Sequence, residues 1–117
     1  GLALEDSKKA EAAALYLEAA ESKKTPRDFR DLARILYVQN TDKPSLDILK
    51  PLLANEKSPW IWHARVEAAV IAASENDFAK AASYLKDFAA VKSIPLSLKQ
   101  RGVALHHVYS LKQNKAE

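Results

Sequence analysis

Three histidines and scattered carboxylates are the side chains of this 117-residue chain that could act as acids, bases or metal ligands. His63 and Glu67 stand one helical turn apart, and His106 and His107 are adjacent. Two ligands are too few for a closed zinc site, and adjacent helical side chains project about 100° apart. The chain has no cysteine, which excludes thiolate sites and cysteine nucleophiles. We therefore expect no metal and no cofactor.

Catalytic motifs give equally little support for an enzyme. No serine has a histidine and a carboxylate at the spacing of a catalytic motif, and the chain has no glycine-rich phosphate loop. Carboxylates on amphipathic helices normally belong to a solvated face. We expect a protein that is not an enzyme.

An arginine-rich segment is the main candidate for binding. Arg30 and Arg34 lie one helical turn apart, with Tyr37 close by. Guanidinium groups bind carboxylates through paired hydrogen bonds, so these three residues are predicted to receive an acidic or C-terminal carboxylate group of a peptide. Arg27 is spaced for an ion pair with Asp31. The alternative is that the strip only keeps the surface soluble.

Two tryptophans flank Ile61 directly after Pro59. Helical side chains two positions apart point about 200° apart, so we expect one tryptophan in the core and the other partly exposed. An exposed tryptophan can anchor a partner, and Trp62 and His63 complete the predicted partner-binding residues. The alternative is that the tryptophan covers a helix end or packs on a neighbouring helix pair.

Composition places these residues on helices. The chain has 21 alanines and 15 leucines but only 2 glycines, with 48% hydrophobic and 28% charged residues. This balance favours helix throughout and argues against a β-sandwich or barrel. The length suits one domain over residues 1–117. No apolar run approaches the roughly 20 residues that span a bilayer.

Capping signals divide the chain into six helical segments with short connections, so successive helices should pack antiparallel. The segments run from about Ser7 to Ser22, Thr25 to Gln39, Asp42 to Ala54, Ser58 to Ser74, Asn76 to Val91 and Pro95 to Gln113. Leu2 to Leu4 are predicted to end an earlier helix. Pro51 is predicted to kink or shorten the third segment, because it lacks an amide donor.

The segments repeat with a period of about 35 residues. Asp6, Asp42 and Asp77 are predicted to begin helices and stand 36 and 35 residues apart. The same spacing relates two sets of apolar residues, namely Ala10, Leu46 and Ala81, and Leu17, Leu53 and Phe88. One helix pair cannot bury its own apolar face, so stacked pairs complete the core. The predicted fold class is all-α, an array of antiparallel helix pairs.

The segment from Asn76 to Ala81 resembles the turn and second-helix start of a tetratricopeptide repeat, in which Gly-Asp-Tyr is followed by alanine three positions on. Asn76 replaces the glycine and tolerates the left-handed conformation. Small first-helix positions and second-helix core positions of that repeat correspond to Ala68, Ala69, Ala72, Leu85 and Phe88. The resemblance implies a tetratricopeptide-like, right-handed array of about six helices.

Four motifs in order carry a closer resemblance: Phe29-Arg30-Asp31-Leu32-Ala33-Arg34, Leu49-Lys50-Pro51-Leu52, Ser58-Pro59-Trp60 and Ile94-Pro95-Leu96-Ser97-Leu98-Lys99-Gln100-Arg101. Over roughly residues 25–110 this order resembles the C-terminal part of the bacterial YfgM-like family of ancillary translocon subunits. The resemblance implies a parent protein with an N-terminal transmembrane anchor, a periplasmic repeat domain, and translocon or periplasmic chaperone partners. Because the chain begins at Gly1 and has no methionine, we expect it to be excised from such a protein.

Together these features predict a non-enzymatic protein–protein interaction module, a scaffold or chaperone-like domain of a membrane-anchored bacterial envelope protein linked to protein export. Its partner would be a protein or peptide, with membrane contact only through an anchor outside the chain. The alternative is a self-association domain, in which uncovered apolar residues form a homodimer. Those residues are Leu2, Leu4, Val103, Leu105, Val108 and Leu111.

Nucleic-acid binding is a third hypothesis, because residues 76–117 carry 7 basic and 3 acidic groups. The basic residues are dispersed, and aromatic side chains do not interleave with them. We therefore predict no nucleic-acid partner.

Overall fold

The protein is helical throughout the described residues. The structure is a computed structural model that describes the backbone of residues 2–116 and the side chains of residues 7–114. Within those limits it contains no strand, and its elements are α1 (Leu2–Glu21), α2 (Arg27–Asn40), α3 (Leu46–Leu53), α4 (Ile61–Ser74), α5 (Phe78–Leu85), a 3-10 turn (Phe88–Ala90) and α6 (Leu96–Ala116). The predicted all-α class with six helices is confirmed. The tetratricopeptide-like arrangement stays a prediction.

The starts of the first two helices differ from the predictions. Helix α1 begins at Leu2, so the residues from Leu2 to Leu4 belong to it rather than to an earlier helix. Asp6 therefore lies inside α1 and does not begin it. Helix α2 begins at Arg27 after Pro26 as its N-cap, two residues later than the predicted start at Thr25.

Helix α3 begins at Leu46, four residues later than the predicted start at Asp42. Its N-cap is Ser45, whose hydroxyl accepts the amide hydrogen of Asp47 at 3.2 Å. A residue before proline is biased away from helix, so the helix forms only after Pro44. Asp47 then pairs with Lys50 at 2.8 Å, and this contact lowers the pKa of the Asp47 carboxyl.

The fifth helix also departs from the prediction, which continued it to Val91. Helix α5 ends at Leu85, and the chain resumes as a 3-10 turn at Phe88. The turn places the Phe88 ring in the core, where it is fully buried.

The chain divides into two compact units, residues 1–64 and 65–117, and helix α4 begins in the first and continues in the second. In the first unit α1 packs on α2, and α2 packs on α3. In the second unit α5 and the 3-10 turn pack against α6. The single domain over residues 1–117 stays a prediction.

Buried apolar residues match the predicted pattern in the second unit but not in the first. In the second, the residues matched to the core of a tetratricopeptide repeat are all buried, namely Ala68, Ala69, Ala72, Ala81, Leu85 and Phe88. In the first, the repeated position Ala10 is exposed, and Leu17, Leu46 and Leu53 are half-buried. The buried cluster there consists of Ile35, Leu52 and Ala64, with Leu53 and Trp60 packed against it.

Helix lengths alternate along the chain with nearly the predicted period. Helices α2 and α4 have 14 residues each, and α3 and α5 have 8 each. The long helices begin at Arg27, Ile61 and Leu96, which are 34 and 35 residues apart. Of the three repeated aspartates, Asp77 alone caps a helix, by accepting the Lys80 amide hydrogen at 3.2 Å.

Asn76 ends helix α4 in the left-handed conformation, with φ of 64°. The amide of Asp77 donates to the Ala72 carbonyl at 2.9 Å, and the amide of Asn76 donates to the Ala73 carbonyl at 3.0 Å. This pair of bonds is a Schellman motif, which satisfies carbonyls that the helix end leaves free. The predicted tolerance of Asn76 for this conformation is confirmed.

Replacing Asn76 with glycine is expected to leave the free energy of unfolding nearly unchanged, whereas alanine should lower it by about 1 kcal/mol. The reason is that a β-carbon is strained at positive φ unless a short polar side chain compensates. Urea unfolding of the two variants measures the difference. A stability of Asn76→Ala equal to that of Asn76→Gly would contradict this explanation.

Candidate functional site: an arginine-lined pocket

Helix α2 places three arginines along one side. Arg27, Arg30 and Arg34 stand at positions i, i+3 and i+7, which share a helical face. With Asp31 and with Pro51 of α3 they line a pocket of about 100 Å³. The structure therefore brings together the predicted Arg30 and Arg34, and it adds Arg27.

The pocket is small and positively charged. Three guanidinium groups against one carboxylate leave a formal charge of +2. A water molecule occupies roughly 30 Å³ of liquid, so the space suits one small oxyanion. Ligand pockets for whole metabolites usually exceed about 300 Å³. The arrangement can bind an anionic group that projects from a larger molecule.

Arg34 is held in place by backbone carbonyls. Its two terminal nitrogens donate to the Ile48 carbonyl at 3.0 Å and to the Ala20 carbonyl at 3.3 Å. Ala20 lies in the last turn of α1, where carbonyls lack helical partners. Arg34 thus connects α1 with α3 as well as lining the pocket. Both acceptors are neutral, so the guanidinium charge is not cancelled by an acid.

Asp31 forms the acidic wall of the pocket and is 5% exposed. Its partner is the buried Ser58 hydroxyl, which donates to Oδ2 at 2.9 Å. The same hydroxyl accepts the Trp60 amide hydrogen at 3.2 Å. Among the described contacts Asp31 bonds to Ser58, and the predicted ion pair with Arg27 is not formed. The physical reason is that this buried hydroxyl lies beside Asp31, whereas Arg27 is exposed.

Arg30 carries the least satisfied polar group of the pocket. Its Nε atom is buried and has no hydrogen-bond partner among the described residues. Buried donors in folded proteins are nearly always paired, so an exception of this kind requires an explanation. Because the Nε atom is buried, a ligand in the pocket does not reach it in this structure.

Tyr37 lies elsewhere. It lines a separate cleft of about 450 Å³ between α1 and the end of α2, with Lys9, Ala13, Leu17 and Lys43 among its neighbours. The structure does not place Tyr37 with Arg30 and Arg34 around the smaller pocket. Helical spacing alone could not separate the two cavities, because both open beside α2.

The other predicted partner-binding residues lie at a third location, near the start of α4. Trp60 and His63 meet edge to face with ring centroids 5.3 Å apart. Trp62 and His63 are half-buried, and both make contacts within the structure. Trp60 is also half-buried and packs against the buried cluster of the first unit, so Trp62 is partly exposed as expected, but neither tryptophan is fully in the core. Neither Trp62 nor His63 lines the arginine pocket.

Helix α6 presents exposed apolar side chains to solvent. Leu96, Val103, Val108 and Leu111 are exposed, whereas Leu105 is half-buried. Leu96, Val103 and Leu111 are spaced by seven and eight residues, so they share one side of the helix. The side chains of Leu2 and Leu4, predicted to join this surface, lie outside the described residues.

The described residues contain no group of three histidine, cysteine or carboxylate side chains arranged for a metal ion. None of the described helices combines the length and the apolar character that a membrane span requires.

Sequence reasoning missed the link between Asp31 and Ser58 and the role of Arg34 between helices. The sequence did contain a signal that Asp31 is buried. Asp31 precedes the buried Ile35 and Val38 by four and seven residues, and this spacing places its carboxylate on an apolar helix face. The contacts of Arg34 with carbonyls of α1 and α3 left no sequence signal, because backbone acceptors look alike at every residue.

Comparison of the chain with protein-family models, with curated proteins and with solved structures gives no significant match.

Proposed function

We propose that the chain is a non-enzymatic protein–protein interaction module that engages a partner through the arginine-lined pocket on α2. The observation that carries this proposal is the cluster of three arginines and one aspartate around a small pocket on α2. A pocket of about 100 Å³ accepts one anionic group rather than a whole metabolite. An acidic group on a partner chain satisfies both the size and the charge.

The helix-pair organisation supports the same proposal. Helices of 14 and 8 residues alternate, which is typical of arrays that present long helical surfaces to partners. A tetratricopeptide-like, right-handed arrangement of these pairs is part of the proposal. Docking of a peptide would then combine shape with a few charged anchors.

The cellular setting that we propose is the periplasmic side of the bacterial inner membrane, as a scaffold or chaperone-like part of a membrane-anchored protein linked to protein export. The sequence resemblance to the YfgM-like family supports this setting. The test is the sequence upstream of Gly1, where a hydrophobic stretch of about 20 residues is expected. Its absence would contradict the anchored location.

Affinity capture tests the interaction role. The purified full chain is immobilised, and captured envelope proteins are identified, purified and titrated back against the chain. We expect at least one partner whose affinity falls tenfold or more in Arg30→Gln. Arg101→Gln is the matched control, because Arg101 is an exposed arginine outside the pocket. Equal affinity for the wild type and Arg30→Gln would overturn the assignment of the pocket.

Self-association is a second candidate function, and the exposed apolar residues of α6 favour it. Leu96 is 68% and Leu111 50% exposed, which is high for large apolar side chains on one helix. Residues 88–116 contain no acidic residue, so two copies of α6 would bring like charges together. We expect any homodimer formed in this way to be weak.

Light scattering across a dilution series measures this association. If α6 forms a dimer, added salt should strengthen it, because screening reduces the repulsion between exposed basic side chains such as Arg101 and Lys112. Val103→Lys, on the shared side of α6, should abolish it. A monomer at every concentration and salt level would exclude this second candidate.

A further inference from the structure

We propose that the exposed side of α6 is a peripheral binding surface for an anionic lipid bilayer. The proposal goes beyond the interaction role of the arginine pocket and uses different residues. It rests on two features of this helix, namely a row of exposed aliphatic side chains and the absence of acidic side chains along it.

Aliphatic side chains form a row along the exposed side of α6. Of the seven large apolar side chains that are exposed within residues 7–114, four lie on this helix, namely Leu96, Val103, Val108 and Leu111. Their exposed fractions run from 41% to 68%. At a rise of about 1.5 Å per residue, Leu96 and Leu111 stand about 22 Å apart along the helix axis. Because the helix surface is convex, a row of this length is matched by a flat, extended surface rather than by a pocket.

The opposite side of α6 attaches the helix to the fold. Gly102 and Tyr109 are buried on that side, and α6 packs against α5 and the 3-10 turn. The outer row is therefore available to a membrane without unfolding. A helix held in this way can lie in the plane of the bilayer interface, with its outer apolar side chains at the boundary between headgroups and acyl chains.

The charge of α6 decides which surface fits the row. Residues 88–116 contain no acidic residue. The basic residues of α6 are Lys99, Arg101, Lys112 and Lys115. Arg101 and Lys112 are exposed and stand seven residues before and four after Val108, so they border the row on one side. A bilayer with anionic headgroups offers negative charge and apolar depth over the same area, whereas a second copy of α6 would bring like charges together.

Nucleic acids match this surface less well than lipid does. They bind proteins through phosphate contacts and through bases that stack on aromatic side chains. The tyrosine of α6, Tyr109, is buried on the inner side, and the outer row is aliphatic. The row therefore favours acyl chains over bases.

Leu15 of α1 provides a contrast within the same chain. It is 65% exposed, but it lies four residues after Glu11 and three before Glu18. Residues at these spacings share a helical face, so two carboxylates accompany Leu15 and would repel anionic headgroups. Leu15 is therefore the matched control for the apolar residues of α6.

Sedimentation of the full chain with vesicles tests the proposal. The vesicles contain phosphatidylcholine alone or an equal mixture of phosphatidylcholine and phosphatidylglycerol. We expect partitioning into the mixed vesicles to be at least tenfold stronger, because each basic residue near an anionic surface strengthens binding about fivefold. Raising the salt from about 0.05 M to about 0.5 M should weaken it at least tenfold, since the Debye length falls about threefold.

Substitutions in the row separate apolar insertion from simple attraction between charges. The double variant Val103→Gln with Leu111→Gln keeps every charge and should lower partitioning into the mixed vesicles at least fivefold, because two apolar side chains no longer leave water. Leu15→Gln should bind like the wild type. A thermal melt confirms that each variant is folded before the measurement.

A fluorescent label reports the contact directly. The chain has no cysteine, so Val103→Cys or Leu15→Cys gives a single attachment point for a polarity-sensitive dye. With the mixed vesicles we expect the emission of the dye at position 103 to shift to shorter wavelength. The dye at position 15 should not respond.

Several outcomes overturn the proposal: no sedimentation with the mixed vesicles, equal binding to neutral vesicles, unchanged binding of the double variant, or no response of the dye at position 103. Binding to poly-glutamate or single-stranded RNA that depends on Val103 and Leu111, without binding to vesicles, would assign the row to a soluble polyanion instead. The capture experiment on Arg30 contains no lipid, so the proposed function and this proposal can fail independently.

Discussion

Replacing Gly102 with alanine is expected to lower the free energy of unfolding by about 1–3 kcal/mol through overpacking. Inside most helices the same substitution raises stability, by roughly 0.5–1 kcal/mol. Here a β-carbon on Gly102 would lie 2.6 Å from Cγ and Cε2 of Phe88, and nearer still to Cδ2. Phe88 is fully buried and has no solvent-facing space to move into. The expected change in the free energy of unfolding therefore has the opposite sign to that of the same substitution in most helices.

Urea and thermal unfolding measure the effect. The matched control is Ala104→Gly, at an exposed position of the same helix, which should cost only the ordinary helix propensity. Phe88→Leu alone should be destabilising, but in that background the additional cost of Gly102→Ala should shrink, because the smaller side chain makes room. A raised melting temperature for Gly102→Ala would show that the ring is free to move away.

Replacing Ser58 with alanine is expected to cost about 1.5–3 kcal/mol, because it removes a hydrogen bond to a buried charged group. Ser58 is 4% exposed and its hydroxyl donates to Oδ2 of Asp31, which is 5% exposed. The hydroxyl also accepts the Trp60 amide hydrogen at the start of α4. The substitution therefore leaves the buried Asp31 carboxylate and the part-buried Trp60 amide without this partner.

The control for Ser58→Ala is Ser83→Ala. The Ser83 hydroxyl also forms a hydrogen bond, to the Lys80 carbonyl at 2.7 Å, but the residue is exposed, so water replaces the lost partner. We expect a change within about 0.5 kcal/mol there. In a background of Asp31→Leu, removal of the Ser58 hydroxyl should cost less than in the wild type. Equal losses of stability in Ser58→Ala and Ser83→Ala would contradict a stabilising hydrogen bond between Ser58 and Asp31.

Much of the helical architecture was predictable because it depends on local chemistry. Few glycines, many alanines and leucines, and prolines near helix starts fix the number of helices and most of their ends. Asn76 shows how local the information is, because a short polar side chain at a helix end permits the left-handed turn observed there. Errors arose where two local signals competed, as at Asp42 and Ser45.

The candidate site was predictable only in part. The spacing of Arg30 and Arg34 indicated a shared face, and both line the pocket. The sequence wrongly grouped Tyr37 with them, because residues one turn apart can open into different cavities once neighbouring helices pack. Trp62 and His63 occupy yet another location.

The sequence by itself determined that the chain forms six helices, because helix propensity and capping act over a few residues. Only the tertiary structure decided which polar groups meet. Asp31 and Ser58 are 27 residues apart, and Arg34 is 14 residues from each carbonyl that it binds. The need for glycine at position 102 is also decided by the tertiary structure, because the Phe88 ring packed against Gly102 leaves no room for a β-carbon. Contacts over such separations depend on how helices pack, which no local pattern records.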